Sequence, residues 1–478
     1  MRASPPRGRR RAFALALSSS LTLSIVAHAQ APAPTPEPEA APAPAAEPAP
    51  EPTPAPAPAP ALDPASLTAT IDARIAAAAA AAAAASAAKP SAGYKDGFFI
   101  SSADGKSKLK LGAYTHADAR FLLGDGTGDT LVLRRVRPTF DGTVAGRWDF
   151  KFLPDFGQGR TVIQDAYVDA HFSELIRVRI GKLKQPFGLG RLQSATALTF
   201  VERGHPTNLA PNRDLGVQLH GEVGKGLVQY QAGVFAGVPD GGSSDGDSDE
   251  DKDVALRVFS HPLIRAFPRL GGLGLGGAVT YGKRTGTPAA PQVAPYKSAS
   301  TASFFSYAAG TTADTAVVAS GGHLRATGQG YLYHGPFSLL GEFVWSRQAL
   351  TRAGVEKQLA HRAWGVEVSY VLTGEKTSFK GITPRTVFDP EAGTFGAFEV
   401  AARYNETRID RDAFDDGFAD LARSARRARA FAVAASWTAA AACKLVVSFE
   451  RTDFRGGAPA GADRPAENLL ATRVQSVF

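Results

Sequence analysis

The sequence predicts an all-β fold, a 16-stranded antiparallel transmembrane β-barrel, preceded by a disordered Pro/Ala-rich segment and a short Ala-rich helix. Three observations carry that prediction. The chain opens on an export signal; segments that alternate apolar and charged residues recur sixteen times after residue 93; and the connections between them alternate between very short and long. Only helices and closed barrels satisfy every backbone group in lipid, and no window outside the leader reaches the apolar length of a spanning helix.

The leader comes first. Arg2, Arg7, Arg9, Arg10 and Arg11 precede an apolar run from Ala12 to Val26 that ends at Ala27-His28-Ala29. This is the layout of a secretory signal peptide over residues 1–29, with the mature chain starting at Gln30. Residues 30–64 are Ala-Pro-Glu repeats, whose prolines favour extended polyproline II and read as a periplasmic spacer, either touching the cell wall or inert. Asp63-Pro64 then places an N-cap and a first-turn proline before a helix over 65–92. It runs through Leu67, Ile71 and Ile75 into polyalanine, stops near Lys89-Pro90, and offers an apolar face to copies of itself in an oligomer.

From Gly93 the barrel domain 93–478 begins. Candidate strands lie near 108–121, 131–144, 146–153, 163–172, 176–183, 215–223, 227–236 and 253–260. The rest lie near 273–282, 322–333, 336–347, 362–372, 395–406, 428–438, 443–452 and 468–478. Sixteen is even, as a single-chain bacterial barrel requires. Connections after strands 2, 4, 6, 10 and 14 are very short and those after the odd-numbered strands, the eleventh included, are longer, with 261–272 and 373–394 breaking the pattern. Short inner turns and long outer loops are the outer-membrane arrangement. The hairpin in Leu131–Phe156 shows the faces most clearly: Trp148, Phe150 and Phe152 on one side, Arg147, Asp149 and Lys151 on the other. Arg134 falls in the lipid phase just before Val136, which predicts an interfacial position or a bulge.

The lumen phase collects charge. It takes Lys108, Lys110, Tyr114, His116, Asp118 and Arg120 from the first strand, Arg135 and Arg137 from the second, Lys151 from the third, and Arg177 and Arg179 from the fifth. Arg257, Arg325, Arg403, Lys444 and Arg473 follow from later strands. Arginine facing lipid near the midplane costs roughly 2–4 kcal/mol, which points these residues inward. A ring of Arg and Lys along a narrow pore replaces part of an anion's hydration shell, and arginine's planar fork suits phosphate oxygens. The competing reading is a non-selective porin for small hydrophilic solutes, because Asp118, Asp141, Asp149, Asp165, Asp169, Glu222, Glu367 and Glu399 also fall inward.

Net charge agrees with either. The chain carries +8; the leader contributes +5 and residues 30–92, with six acids against two bases, −4, which leaves +7 for 93–478. The connection 184–214 carries Lys184, Arg191, Arg203 and Arg213 against Glu202 and Asp214, and either folds inward to narrow the pore or stays outside. The acidic loop Asp240–Asp253 spaces Asp245, Asp247 and Asp249 like a calcium loop but lacks the distal bidentate Glu, so it reads as a solvated or lipopolysaccharide-facing loop and not as a metal site. Cys443 is the sole cysteine, which rules out an intramolecular disulfide. No nucleophile elbow, HExxH or phosphate-cradling glycine loop appears, so neither an enzyme, a cofactor nor a nucleic-acid partner is expected.

Several blocks bear a resemblance. DGFFISSADGKSKLKLGAY, LRRVRPTFDGTVAGRWDFKFLPDFG, QDAYVDAHF and above all RIGKLKQPFGLGRLQSATALTFVERGHPTNLAPNRDLGVQLHGE resemble the phosphate-selective porin O and P family of bacterial outer membranes over residues 96–478. The resemblance implies a homotrimer of sixteen-stranded barrels in the bacterial outer membrane, taking up phosphate or polyphosphate through an arginine ladder and lysine clusters. It carries anion-path roles onto Arg135, Arg137, Lys151, Arg177, Arg179, Lys184 and Arg191; Lys108, Lys110 and Arg120 join them by phase. The proline-rich tether stands where family members often have an N-terminal coiled coil.

Overall fold

A computed structural model describes residues 64–478, apart from 88, 96, 125–128, 248–249 and 268–269. The expected signal peptide, most of the Pro/Ala-rich segment and the Asp63 cap lie outside the described residues. A helix, α1, spans Pro64–Ala87.

Sixteen strands follow the sequence's alternation. They are β1 (Lys108–Leu122), β2 (Thr130–Val144), β3 (Trp148–Asp155), β4 (Val162–His171), β5 (Arg177–Lys184), β6 (Arg213–Val223), β7 (Val228–Phe235) and β8 (Asp253–Ser260). The second half comprises β9 (Leu273–Thr285), β10 (Val318–His334), β11 (Phe337–Arg352), β12 (Val355–Val371), β13 (Ala397–Arg408), β14 (Ala425–Ala440), β15 (Cys443–Gly456) and β16 (Glu467–Val477). Each pairs antiparallel with the next, and β16 returns to β1 from Leu469↔Leu122 to Val477↔Tyr114, closing the barrel. Closure leaves no unpaired edge in lipid.

Phe478 takes part in the seam. Phe478 accepts from the Ala113 amide at 2.7 Å and donates to its carbonyl at 2.9 Å. A Cβ at Gly112 would lie 2.6 Å from the Phe478 carbonyl oxygen, so the closing contact requires glycine there. Where β16 ends, a hairpin of Ser91–Tyr94 and Phe98–Ser101 takes over the edge of β1, pairing Phe98↔Leu111 through Ser101↔Lys108.

Outward residues are apolar and exposed, among them Leu131, Phe140, Trp148, Phe152, Ile176 and Ile180. Phe140 and Phe152 face each other across β2 and β3 with ring centroids 5.9 Å apart. Inward residues are buried and polar. Arg134 occupies a β-bulge: His116 pairs with Arg135, the next pair is Ala117↔Leu133, and Arg134 is the extra residue. The bulge switches phase. Leu131 and Leu133 face out before it, and Arg135 and Arg137 face in after it.

One connection differs from expectation. The β11–β12 link is a two-residue turn, Ala353-Gly354, both at positive φ, instead of a long loop. The two strands run on past the sequence-read ends because their outer residues keep pairing, from Gln348↔Leu359 to Arg352↔Val355. Three of the long connections at that end fold inward. Phe187, Leu209, Tyr296, Phe304, Phe305, Ile409 and Phe418, from three separate loops, pack with Leu350, Leu359 and Phe454 of the wall into one buried apolar cluster. Loops thus fill the lumen beside β9–β15 and leave space against β1–β6.

Candidate functional site: the constricted lumen

The loop joining β5 to β6, residues 185–212, crosses the lumen. Glu202 accepts from Arg120 of β1 at 2.6 Å and from the bulged Arg134 of β2 at 2.8 Å. Further along, Lys444 of β15 donates to the Leu198 carbonyl at 3.2 Å, Gln475 of β16 to the Thr196 carbonyl at 3.1 Å, and Arg403 of β13 to the Glu202 carbonyl at 2.8 Å. On the far side, the Gly190 amide donates to Glu342 of β11 at 3.3 Å. Burial alone would raise the Glu202 carboxyl, but Arg134, Arg135, Arg473 and Arg120 together hold it well below its ordinary range.

Between this loop and the β1–β6 wall lies a cavity of about 620 Å³. Ten cationic side chains line it, Arg134, Arg135, Arg137, Lys151, Arg160, Lys184, Arg191, Arg203, Arg213 and Lys297, against three carboxylates, Asp155, Asp165 and Glu202. All three carboxylates are already engaged. Arg137 contacts Asp155 at 2.7 Å, Arg213 contacts Asp165 at 2.9 Å, and Glu202 serves Arg120 and Arg134. Lys151 is offset by Asp141 at 2.7 Å.

Four cations are held differently. Arg135 lies 3.0 Å from the Nδ1 atom of His116. Lys184 donates to the carbonyls of Leu192 and Gln193, each at 3.1 Å. Arg203 donates to the Gly190 carbonyl at 2.6 Å and the Gln193 carbonyl at 2.8 Å, and Arg191 donates to the Thr207 carbonyl. A carbonyl dipole orients a guanidinium without cancelling its charge. Burial and the neighbouring cations Arg191 and Arg213 push Arg203 down to about 9, still protonated at neutral pH.

Of the residues expected along the anion path, the structure brings Arg135, Arg137, Lys151, Lys184 and Arg191 into this cavity. Arg120 sits behind it as an anchor, shared between Asp118 and Glu202. Arg177 and Arg179 lie toward the short-turn end, paired with Asp149 and Asp169 at 2.5 and 2.6 Å. Lys108 and Lys110 lie at the start of β1, beside the N-terminal hairpin, and the Lys108 ammonium rests 4.6 Å above the Phe99 ring. The later inward cations act as braces: Arg473 on Asp118 at 2.7 Å, Arg403 on Glu450 at 2.8 Å, and Arg325 on Asp240 at 2.7 Å, while Arg257 stacks on Phe259.

The cavity also uses residues that strand phase does not assign to the path. Arg203 and Arg213 were legible as loop charges, and Arg134 as a bulge candidate. Lys297 had no sequence signal: it arrives on a short hairpin, Tyr296–Lys297 with Ser303–Phe305, fixed by two hydrogen bonds between Asn208 and its backbone at 2.9 and 3.0 Å. In the acidic loop, Asp245 pairs with Lys182 and Asp247 with Lys252; Asp249 lies outside the described residues.

A closed sixteen-stranded barrel with an apolar exterior and a charged lumen narrowed by its own loop has the architecture of an outer-membrane porin, a channel. The family model described as phosphate-selective porin O and P matches residues 109–478, and the chain belongs to that family and to the bacterial outer membrane. Porin O of Pseudomonas aeruginosa is 22% identical over 438 residues, covering 80% of this chain and 91% of that protein. Among solved structures, an anion-selective porin from Comamonas acidovorans aligns with a TM-score of 0.49 at 11% identity, covering 78% of this chain and 100% of that one. The outer membrane channel DcaP of Acinetobacter baumannii aligns with a TM-score of 0.49 at 12% identity, covering 78% and 98%.

Proposed function

We propose that this porin is a passive, anion-preferring channel whose cargo is phosphate, polyphosphate or similar anions. The observation that carries the reading is the set Arg135, Lys184, Arg191 and Arg203, which line the cavity without an ion pair among the described residues. An anion entering there exchanges water for guanidinium and ammonium N–H groups already oriented by carbonyls. Conduction then rests on occupancy favourable enough for entry and weak enough for exit. Arginine's fork favours the oxygens of phosphate over a monatomic ion. The name of the family, phosphate-selective porin O and P, points the same way.

A second reading, a general porin for small hydrophilic solutes, is favoured by the short-turn half of the wall, where Lys151, Arg177 and Arg179 are each balanced by an aspartate. Planar-bilayer recording separates the two. The anion reading expects a reversal potential set by chloride, and block of the chloride current by low phosphate. Selectivity for potassium over chloride would sink it, and chloride selectivity without phosphate block would remove phosphate as cargo.

A further inference from the structure

The outer wall carries a second arginine cluster, on the side away from the lumen. Four arginines stand opposite one another across four successive strands: Arg362 of β12 pairs with Arg408 of β13, Arg408 with Arg427 of β14, and Arg427 with Arg455 of β15. Directly opposed residues share a face, and like charges placed so are destabilising. With strands about 4.8 Å apart, the row spans about 15 Å. The alternation identifies the face: Arg429, Phe431 and Val433 are exposed, while Ala428, Ala430 and Ala432 between them are buried.

Below that row the surface grades into lipid. The next row in register is Trp364, Glu406, Arg429 and Asp453; then come Val366, Tyr404, Phe431 and Arg451; then Val368, Ala402, Val433 and Phe449. Arginine on the lipid side is tolerated only near the interface, so the arginine row sits at headgroup level at the long-loop end, which in an outer-membrane porin faces the outer leaflet. The carboxylates do not balance it. Arg408 pairs with Glu406, Arg451 with Asp453 at 2.9 Å, and Arg455 with Asp463 at 2.8 Å. Arg362, Arg427 and Arg429 make no ion pair among the described residues. A shallow cavity of about 530 Å³ opens over Arg427, Arg429, Phe431, Arg451 and Arg455.

We propose that this patch binds the phosphorylated glycolipid of the outer leaflet, with its phosphates on the arginine row and its acyl chains along Phe431 and Val433. Charge complementarity and the charged-to-aromatic-to-apolar gradient down the same strands select that occupant. A free anion has no use for the apolar rows, and a soluble partner would not reach them.

The test uses the full-length protein in detergent and native mass spectrometry. The probe is a bisphosphorylated, multiply acylated glucosamine disaccharide lipid, compared with the same lipid stripped of its phosphates. The phosphorylated form should be retained on the order of tenfold more tightly. The Arg408→Gln/Arg427→Gln variant should lose that preference while its chloride conductance stays as in the parent. Equal retention of the two lipids by the unmodified protein overturns the proposal without relying on any variant's folding. Displacement by inorganic phosphate alone, which makes the patch a free-phosphate site, also overturns it. So does chain-to-chain cross-linking of Arg427→Cys, which makes it an interface between copies.

Discussion

Two clusters of buried cations sit inside this barrel, and they are solved in opposite ways. Beside β8–β11, Arg325 contacts Asp240 at 2.7 Å and Asp253 at 3.5 Å, Arg284 contacts Asp253 at 2.5 Å, and Ser346 donates to Asp240 at 2.9 Å. Every charge there has a counter-charge. Beside β1–β6, Arg135, Lys184, Arg191 and Arg203 are held by carbonyls and a histidine ring. A buried ion left without its partner is expensive, so a cluster that keeps four of them is not organised for stability. The first cluster locks the loop end against the wall. The second leaves a positive field facing water.

The sharpest way to break that contrast is to treat both clusters alike. Asp240→Ala leaves Arg325 with the more distant Asp253 at 3.5 Å and takes the carboxylate from His323, and should lower stability by about 3 kcal/mol in urea unfolding from vesicles. Its chloride selectivity in the surviving folded channels should be unchanged. Next comes the loop anchor. Glu202→Gln removes the one carboxylate shared by Arg120 and Arg134, and should loosen residues 185–212 by roughly 1.5–3 kcal/mol. Limited proteolysis would show a new cut within the loop; an uncut loop would mean the carbonyl contacts suffice alone. For the unpaired cluster the effect moves from stability to permeation. Lys184→Gln/Arg203→Gln should cut the chloride-to-potassium permeability ratio on the order of tenfold, about 1.4 kcal/mol, while the unfolding midpoint holds or rises.

The contrast was half legible in the sequence. Which strand residues face inward follows from a period of two, and that placed Arg135, Arg137 and Lys151 in the wall. Even the departure at Arg134 announced itself, because an arginine in the lipid phase demands a bulge or an interface. What period cannot supply is the pairing. Arg120 meets Glu202 and Arg325 meets Asp240 only because loops cross the lumen, and no local pattern encodes that path. The same is true of Phe187, Phe304 and Phe418, which stand between the sequence-read strands yet belong to the main apolar cluster. The β11–β12 turn was missed for a different reason: Gln348 to Leu359 mixes polar and apolar residues too evenly to mark where pairing stops.

The smallest predicted effect tests whether the loop's seat is tuned as well as its charge. His205 lies in the crossing loop, buried against Phe304 with ring centroids 5.8 Å apart, and neither ring nitrogen has a hydrogen-bond partner among the described residues. Burial, with Arg403 adding to it and Glu450 opposing it, brings His205 down to about 4. The released loop would restore the usual value near 6.5. The folded pKa is depressed, so the unfolded loop binds the extra proton, and stability rises with pH between about 4 and 6.5. Acidification through that window should therefore loosen the loop, by on the order of 1 kcal/mol at pH 6, with nothing lost above neutrality. Glu202 does not share this window: its depressed carboxyl keeps its anchoring above the ordinary carboxylate range and gives it up only in stronger acid. His205→Phe keeps the ring against Phe304 and removes the proton site. Proteolysis of the loop in that variant should be the same at pH 6 and pH 8, whereas in the parent it should be faster at pH 6; a parent loop indifferent to pH would mean that His205 is not seated in a dry pocket.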